Sequence, residues 1–174
     1  MIEVVEYDPA WAARAAAACA ELESRLPGLF AAIEHIGSTS VPGLAAKPVI
    51  DLMAAADLDR VASHDDTLGE IGYRRYDAGM SGRLFYLRDQ HGRRTCHLHV
   101  VPVDTWPTRN ERLLRDYLRD HPADVARYAE LKRRLAGQHA DAPGYTKAKT
   151  ELIQELTDRA RAARGLPPVP VWED

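Results

Sequence analysis

The segment that most restricts this chain is the turn-rich stretch Gly37-Ser38-Thr39-Ser40-Val41-Pro42-Gly43, set between two short apolar runs at 30–36 and 49–55. Apolar runs of this length bounded by glycine and proline read as buried strands flanking a loop. The second run, Val49-Ile50-Asp51-Leu52-Met53, carries one acid. A carboxylate inside an apolar strand is costly to bury without a metal, a cation or hydrogen-bond donors, so Asp51 demands a partner. The loop offers several. Gly37 and Ser38 can present backbone N–H groups and a hydroxyl to a phosphate with no side chain blocking its approach, and Thr39 and Ser40 extend that polar surface. As a bare dipeptide, Gly-Ser is equally a common turn. Lys47, beside Asp51 in sequence order, can pair with the acid or contact phosphate.

Around this segment the pattern predicts a helix from Pro9 to Leu26, a helix from Leu58 to Ile71, and strands at Tyr73–Tyr76, Arg83–Arg88 and Cys96–Val103. Three helices follow, punctuated by proline: Thr108–Asp120, Pro122 to about Ala136, and Pro143 to about Arg164. The expected architecture is α+β, a mixed sheet with helices packed on it and a helical C-terminal part. With 174 residues, 45% of them hydrophobic, one domain over residues 1–165 is expected, with an extended tail at 166–174 rich in proline. Trp11, Trp106 and Trp172 are too scattered for a base-stacking platform and read as packing residues.

A formal net charge of -3 gives no global attraction to nucleic acid or anionic membrane, so neither is an expected partner. No uncharged run reaches spanning length and no secretory leader is visible. Cys19 and Cys96 form no disulfide framework or CxxC knuckle and read as reduced thiols, so a cytoplasmic location is expected.

His97 and His99 alternate on one strand and therefore share a face, which suits two metal ligands, two phosphate contacts, or an acid/base group and its orienter. With Asp51, and His35 as a further candidate, they form a His/His/Asp set that by ligand type suits a transition metal such as Zn2+. A phosphate site on Asp51 suits Mg2+ or Mn2+ instead, and Mg2+ is the expected ion. Arg112, Arg115 and Arg119 share a helical face opposite Leu114, Tyr117 and Leu118, and Arg115 is the expected entrant to a cleft. Lys132, Tyr145, Lys147 and Lys149 can add contacts and charge around a triphosphate.

The segment EHIGSTSVPGLAAKPVIDLMA closely resembles the signature of the GrpB family, and CHLHVVPVD, RLLRDYLRDHP, YAELKRRLA and GYTKAKTELI follow in the family's order, so the resemblance covers about residues 5–160. It implies a nucleotidyltransferase-like fold. In such proteins a Gly-Ser turn holds the triphosphate of an incoming nucleotide, and two carboxylates separated by one residue on the next strand hold divalent metal. Ser38 and Asp51 match the turn and the second acid, whereas Val49 stands at the first. A neighbouring strand normally supplies a third ligand, and here it carries His97 and His99 instead of an acid. The implied function is an NTP- and divalent-metal-dependent nucleotidyltransferase-like enzyme acting on a small-molecule acceptor. The alternative is a non-catalytic nucleotide-binding or chaperone-like module assisting a partner enzyme such as dephospho-CoA kinase, to which the family's domain also occurs fused.

Overall fold

The computed structural model describes residues 3–137 and 143–171, with the side chains of 143–146 outside that description. Five strands, β1 (Ala32–Ile36), β2 (Ile50–Ala55), β3 (Tyr73–Arg75), β4 (Leu84–Gln90) and β5 (Arg93–Val101), form one mixed sheet in the order β1-β2-β5-β4-β3. Only β2 and β5 run parallel; the other neighbours are antiparallel. Both faces of β2 are covered, which is why it reads as a continuous apolar run rather than an alternating one.

On one face, Leu52, Ala54, Leu98 and Val100 pack beneath α1 (Ala10–Arg25). That helix turns Trp11, Ala15, Ala18 and Leu22 inward at helical spacing and opens on Asp8, whose carboxylate accepts from Ala10 N at 2.9 Å. On the other side α4 (Asn110–Arg119) contacts β1 and packs with α5 (Pro122–Ala136) and α6 (Pro143–Ala162). These helices share a second core with Val41, Leu44 and Ala45 of the loop, built on Leu118, Tyr128, Leu131 and Leu156. The loop after β1 is thus anchored by its apolar half, while Ser38 and Thr39 line a cavity with Asp51 of β2 and His97 of β5. Among the described residues no helix is long and apolar enough to cross a membrane.

Two expectations change. The helix expected over 58–71 is two short ones, α2 (Leu58–Ala62) and α3 (Asp65–Glu70). The Ser63 hydroxyl donates to Arg60 O at 2.6 Å and His64 Nδ1 lies 2.7 Å from the same carbonyl, so side chains satisfy the end of α2 and stop propagation. Each half has its own acidic start, with Asp57 accepting from Arg60 N and Asp65 and Asp66 in the first turn of α3. The strand expected from Cys96 begins at Arg93, because His91 and Gly92 both take positive φ and close a two-residue hairpin onto β4. It stops at Val101, ahead of Pro102 and a 3-10 turn over Val103–Thr108.

The C-terminal segment lies along α6. Gln154 Nε2 donates to Val169 O at 3.0 Å, its Oε1 accepts from Val171 N at 3.1 Å, and Arg161 Nε donates to Pro167 O at 2.6 Å.

Candidate phosphate site

Gly37 leaves β1 with φ 74° and ψ −174°, a conformation open in practice only to glycine. It has a second reason to be glycine: a Cβ there would lie 2.7 Å from Asp51 Oδ2. The register sets this approach, since Ile36 pairs with Asp51 across β1 and β2. Loop polar groups largely satisfy one another. Ser40 Oγ donates to Gly37 O at 2.5 Å, Thr39 Oγ1 and His35 Nε2 are 2.8 Å apart, and Arg119 donates to Ser40 O through Nε and Nη2 at 3.0 and 2.9 Å.

Ser38 is the exception, because its side chain faces a cavity of about 160 Å³ that Lys47, Val49, Asp51, His97, Lys132 and Lys149 also line. Lys132 Nζ donates to Ser38 Oγ and sits 4.7 Å from the centre of the Tyr128 ring. Burial pushes the Lys132 pKa from 10.5 down to about 7, helped by Lys149 and Lys47 and opposed by Asp51. Burial and Lys47 also lower that of Lys149. Three ammonium groups therefore converge on one carboxylate. Asp51 spends part of its charge on His97, whose Nδ1 is 3.0 Å from Oδ1; Arg94 Nη1 lies 3.4 Å from the other ring nitrogen, Nε2. Because a guanidinium can only donate, these partners select the tautomer with its proton on Nδ1 and a lone pair on Nε2.

The other expected site residues are dispersed. Register places His99 on the same sheet face as His97, yet its Nδ1 accepts from Arg83 Nη1 at 3.2 Å, and Arg83 in turn donates to Glu111 at 2.9 Å. Burial holds the His99 pKa down to about 4, so it is neutral. His35 pairs with Leu52 and therefore points to the opposite face from Asp51; burial and Arg119 lower its pKa to about 4. Arg115 does not enter the cavity: it is buried and donates to Glu34 Oε2 at 2.8 Å and to His35 O at 3.1 Å. Lys147 is exposed and pairs with Glu151 one turn along. The side chain of Tyr145 lies outside the described residues.

This geometry bears on a divalent ion. Among the described residues no three His, Cys, Asp or Glu side chains form a ligand set, since His99 is engaged by Arg83 and Val49 lines the cavity where a second acid would stand. One carboxylate among three lysines is a poor donor set for Mg2+, which needs several oxygens, so the residues present do not fit a protein-held ion. Arg94 and Arg119 carry roles that no sequence pattern distinguished. Arg119 shares its helical face with Arg115, and only packing shows which of the two braces the loop.

The GrpB protein family matches residues 1–159. A UPF0157 protein of Pseudomonas aeruginosa is 38% identical over 175 residues, covering 93% of this chain and 69% of its own length. UPF0157 protein YqkA of Bacillus subtilis is 34% identical over 92% of this chain, which spans only 47% of that relative. The crystal structure of the conserved protein GrpB from Enterococcus faecalis superposes with a TM-score of 0.84 at 33% identity, covering 94% of this chain and 99% of that one. Sequence and three-dimensional likeness run the length of the same α+β unit and include the loop and the strand of Asp51: the chain belongs to the GrpB family.

Proposed function

We propose that this chain is a nucleotide-dependent transferase whose lysine-lined cavity holds the phosphates of a nucleoside triphosphate. The observation that carries this reading is the convergence of Lys47, Lys132, Lys149 and Ser38 on Asp51 and His97, with two of the lysines held below their ordinary pKa. Polyphosphate supplies the missing counter-charge and returns those lysines to their protonated form. At about 160 Å³ the cavity accommodates phosphate groups, with the nucleoside outside it. The family resemblance to nucleotidyltransferases, in which a Gly-Ser turn meets the same part of the substrate, points the same way.

The chemistry follows from the Asp51–His97 pair. Once the acceptor hydroxyl takes the place of Arg94 at Nε2, His97 Nε2 accepts its proton while Nδ1–H, held by Asp51, stabilises the imidazolium. The acceptor oxygen bonds to the α-phosphorus as the bond from that phosphorus to the bridging oxygen breaks. Pyrophosphate leaves with its charge spread over the three lysines, which take the electrostatic part that a metal plays elsewhere. No step runs through a divalent ion. A second reading, a nucleotide-binding module that assists a partner enzyme, is favoured by Val49 in place of the first acid.

Calorimetric titration with ATP in EDTA tests the binding step. Wild type should bind, and Lys132→Met should weaken affinity at least tenfold, about 1.4 kcal/mol. His97→Gln and Asp51→Asn should keep ATP affinity within a few-fold but lose pyrophosphate release with hydroxyl acceptors. Binding without release from any acceptor leaves the second reading; no binding of any nucleoside triphosphate or of inorganic tripolyphosphate removes both.

A further inference from the structure

One strand step from His97, on the same face of β5, His99 opens onto a different and larger cavity. Residues two apart on a strand are separated by roughly 7 Å, so the two cavities are neighbours. The second has a volume of about 990 Å³, in the range of small-molecule sites. Its floor is His99 and Arg83. One wall is α4, through Asn110, Glu111 and Leu114, which share a helical face. The opposite wall is α6, where Ile153, Thr157 and Arg161 follow at intervals of four and so stack an apolar group, a hydroxyl and a guanidinium on one stripe. Val169, Pro170 and Val171 of the C-terminal segment close the side, held there by Gln154.

Two polar groups lining this cavity have no partner among the described residues. Thr157 Oγ1 is buried, with the residue 1% exposed, and makes no hydrogen bond. Arg83 Nε is likewise unbonded on a side chain 9% exposed, although Nη1 of the same residue binds His99 and Glu111. Buried donors without acceptors are uncommon, and a ligand that brings acceptors to this cavity would satisfy them. Both can donate, so the matching ligand atoms are acceptors, which carboxylate oxygens supply. Arg161 adds charge: its bonds run to Pro167 O, Thr108 O and Asn110 Oδ1, all neutral, and among the described residues it has no carboxylate partner. Glu111 already balances Arg83, and the charge that Arg161 brings to the lining suits a carboxylate. Leu114, Ile153 and Val169 offer an apolar body its surface.

We propose that the cavity between α4, α6 and the C-terminal segment binds a small organic carboxylic acid with an apolar body, its carboxylate taken by the Arg83, Thr157 and Arg161 side of the pocket. Resting on the transferase reading above, this compound carries a hydroxyl at the end away from its carboxylate and is the second substrate, that hydroxyl being presented to His97 from the adjoining cavity.

Hexanoate is a suitable probe, with hexanol and hexylamine as controls, read by methyl NMR shifts on titration. Hexanoate should bind at least tenfold more tightly than either control and shift the Ile153 and Leu114 methyls. Ile153→Trp, which fills the pocket, should abolish binding. Thr157→Val keeps the volume, removes an unbonded hydroxyl without loss of fold, and should weaken hexanoate two- to tenfold, so the test survives should the tryptophan variant fail to fold. Hexanoate binding no tighter than hexanol, or unchanged in Thr157→Val, overturns the proposal. Tripolyphosphate is titrated in parallel: binding of it without hexanoate removes only this second site, and hexanoate binding without it removes the transferase reading while the carboxylate site stands.

Discussion

Replacing Lys132 by methionine should stabilise the folded chain, and by an amount that depends on pH. Methionine keeps most of the stem that lies against Tyr128 and removes the ammonium that is half-buried beside Lys149 and Lys47. In the folded protein burial brings the Lys132 pKa to about 7, against 10.5 ordinarily. Below pH 7 both folded and unfolded chains carry the proton, and the penalty of burying it is felt in full. Between pH 7 and 10 the unfolded chain holds a proton that the folded one has shed, so wild-type stability rises with pH relative to the variant. At about 1.4 kcal/mol per pH unit, the wild type should regain roughly 2 kcal/mol between pH 7 and 9. A domain of this size shifts by about 2–4 °C per kcal/mol, so the Tm gap between variant and wild type should narrow by about 4–8 °C. Thermal unfolding of both proteins at pH 6, 7, 8 and 9 in buffers free of phosphate and sulfate measures this. Tripolyphosphate at pH 7 should raise the wild-type Tm and leave the variant's nearly unchanged. Parallel Tm curves across the pH range would refute the reasoning, since they would mean that Lys132 titrates as a solvated lysine.

Gly37→Ala should destabilise by about 3 kcal/mol or more, combining backbone strain with a Cβ placed 2.7 Å from Asp51 Oδ2, and should lower Tm by roughly 6–12 °C; a loss under about 1 kcal/mol in denaturant titration would show that the loop adjusts at no expense. Glu34→Gln removes the carboxylate that accepts from both Arg112 and Arg115. Burial works to raise the Glu34 pKa, but the two guanidinium hydrogen bonds and charges outweigh it and hold it below the ordinary 4.5. Its stabilisation is therefore present above about pH 5 and lost as pH falls through the depressed pKa. The variant should lose roughly 1–2 kcal/mol at pH 7, discounted for partial exposure, and match wild type near pH 2; an equal deficit at both pH values would contradict the ion-pair account.

Much of this molecule is legible along the chain because it depends on neighbours in sequence. The proline-bounded helices, the glycine turns and the apolar runs of β1 and β2 follow from local propensity and periodicity, as does the shared face of His97 and His99, since alternation on a strand is a local property. The need of Asp51 for a partner is equally legible from the strand that carries it. Which partner it takes is not. Parallel pairing of β2 with β5 brings Asp51 opposite His97 across 46 positions, and the packing of α5 and α6 brings Lys132 and Lys149 over the loop. The same long-range packing pins Arg115 to Glu34 and directs Arg119, one turn further on, to Ser40. It also turns His35 to the far face through the β1 register, and engages His99 with Arg83 instead of a shared ligand set. Local rules fix which residues of one strand share a face; which side of the sheet that face looks to, and which partner it meets, is set by where distant segments are buried together, and that is decided only when the two cores close.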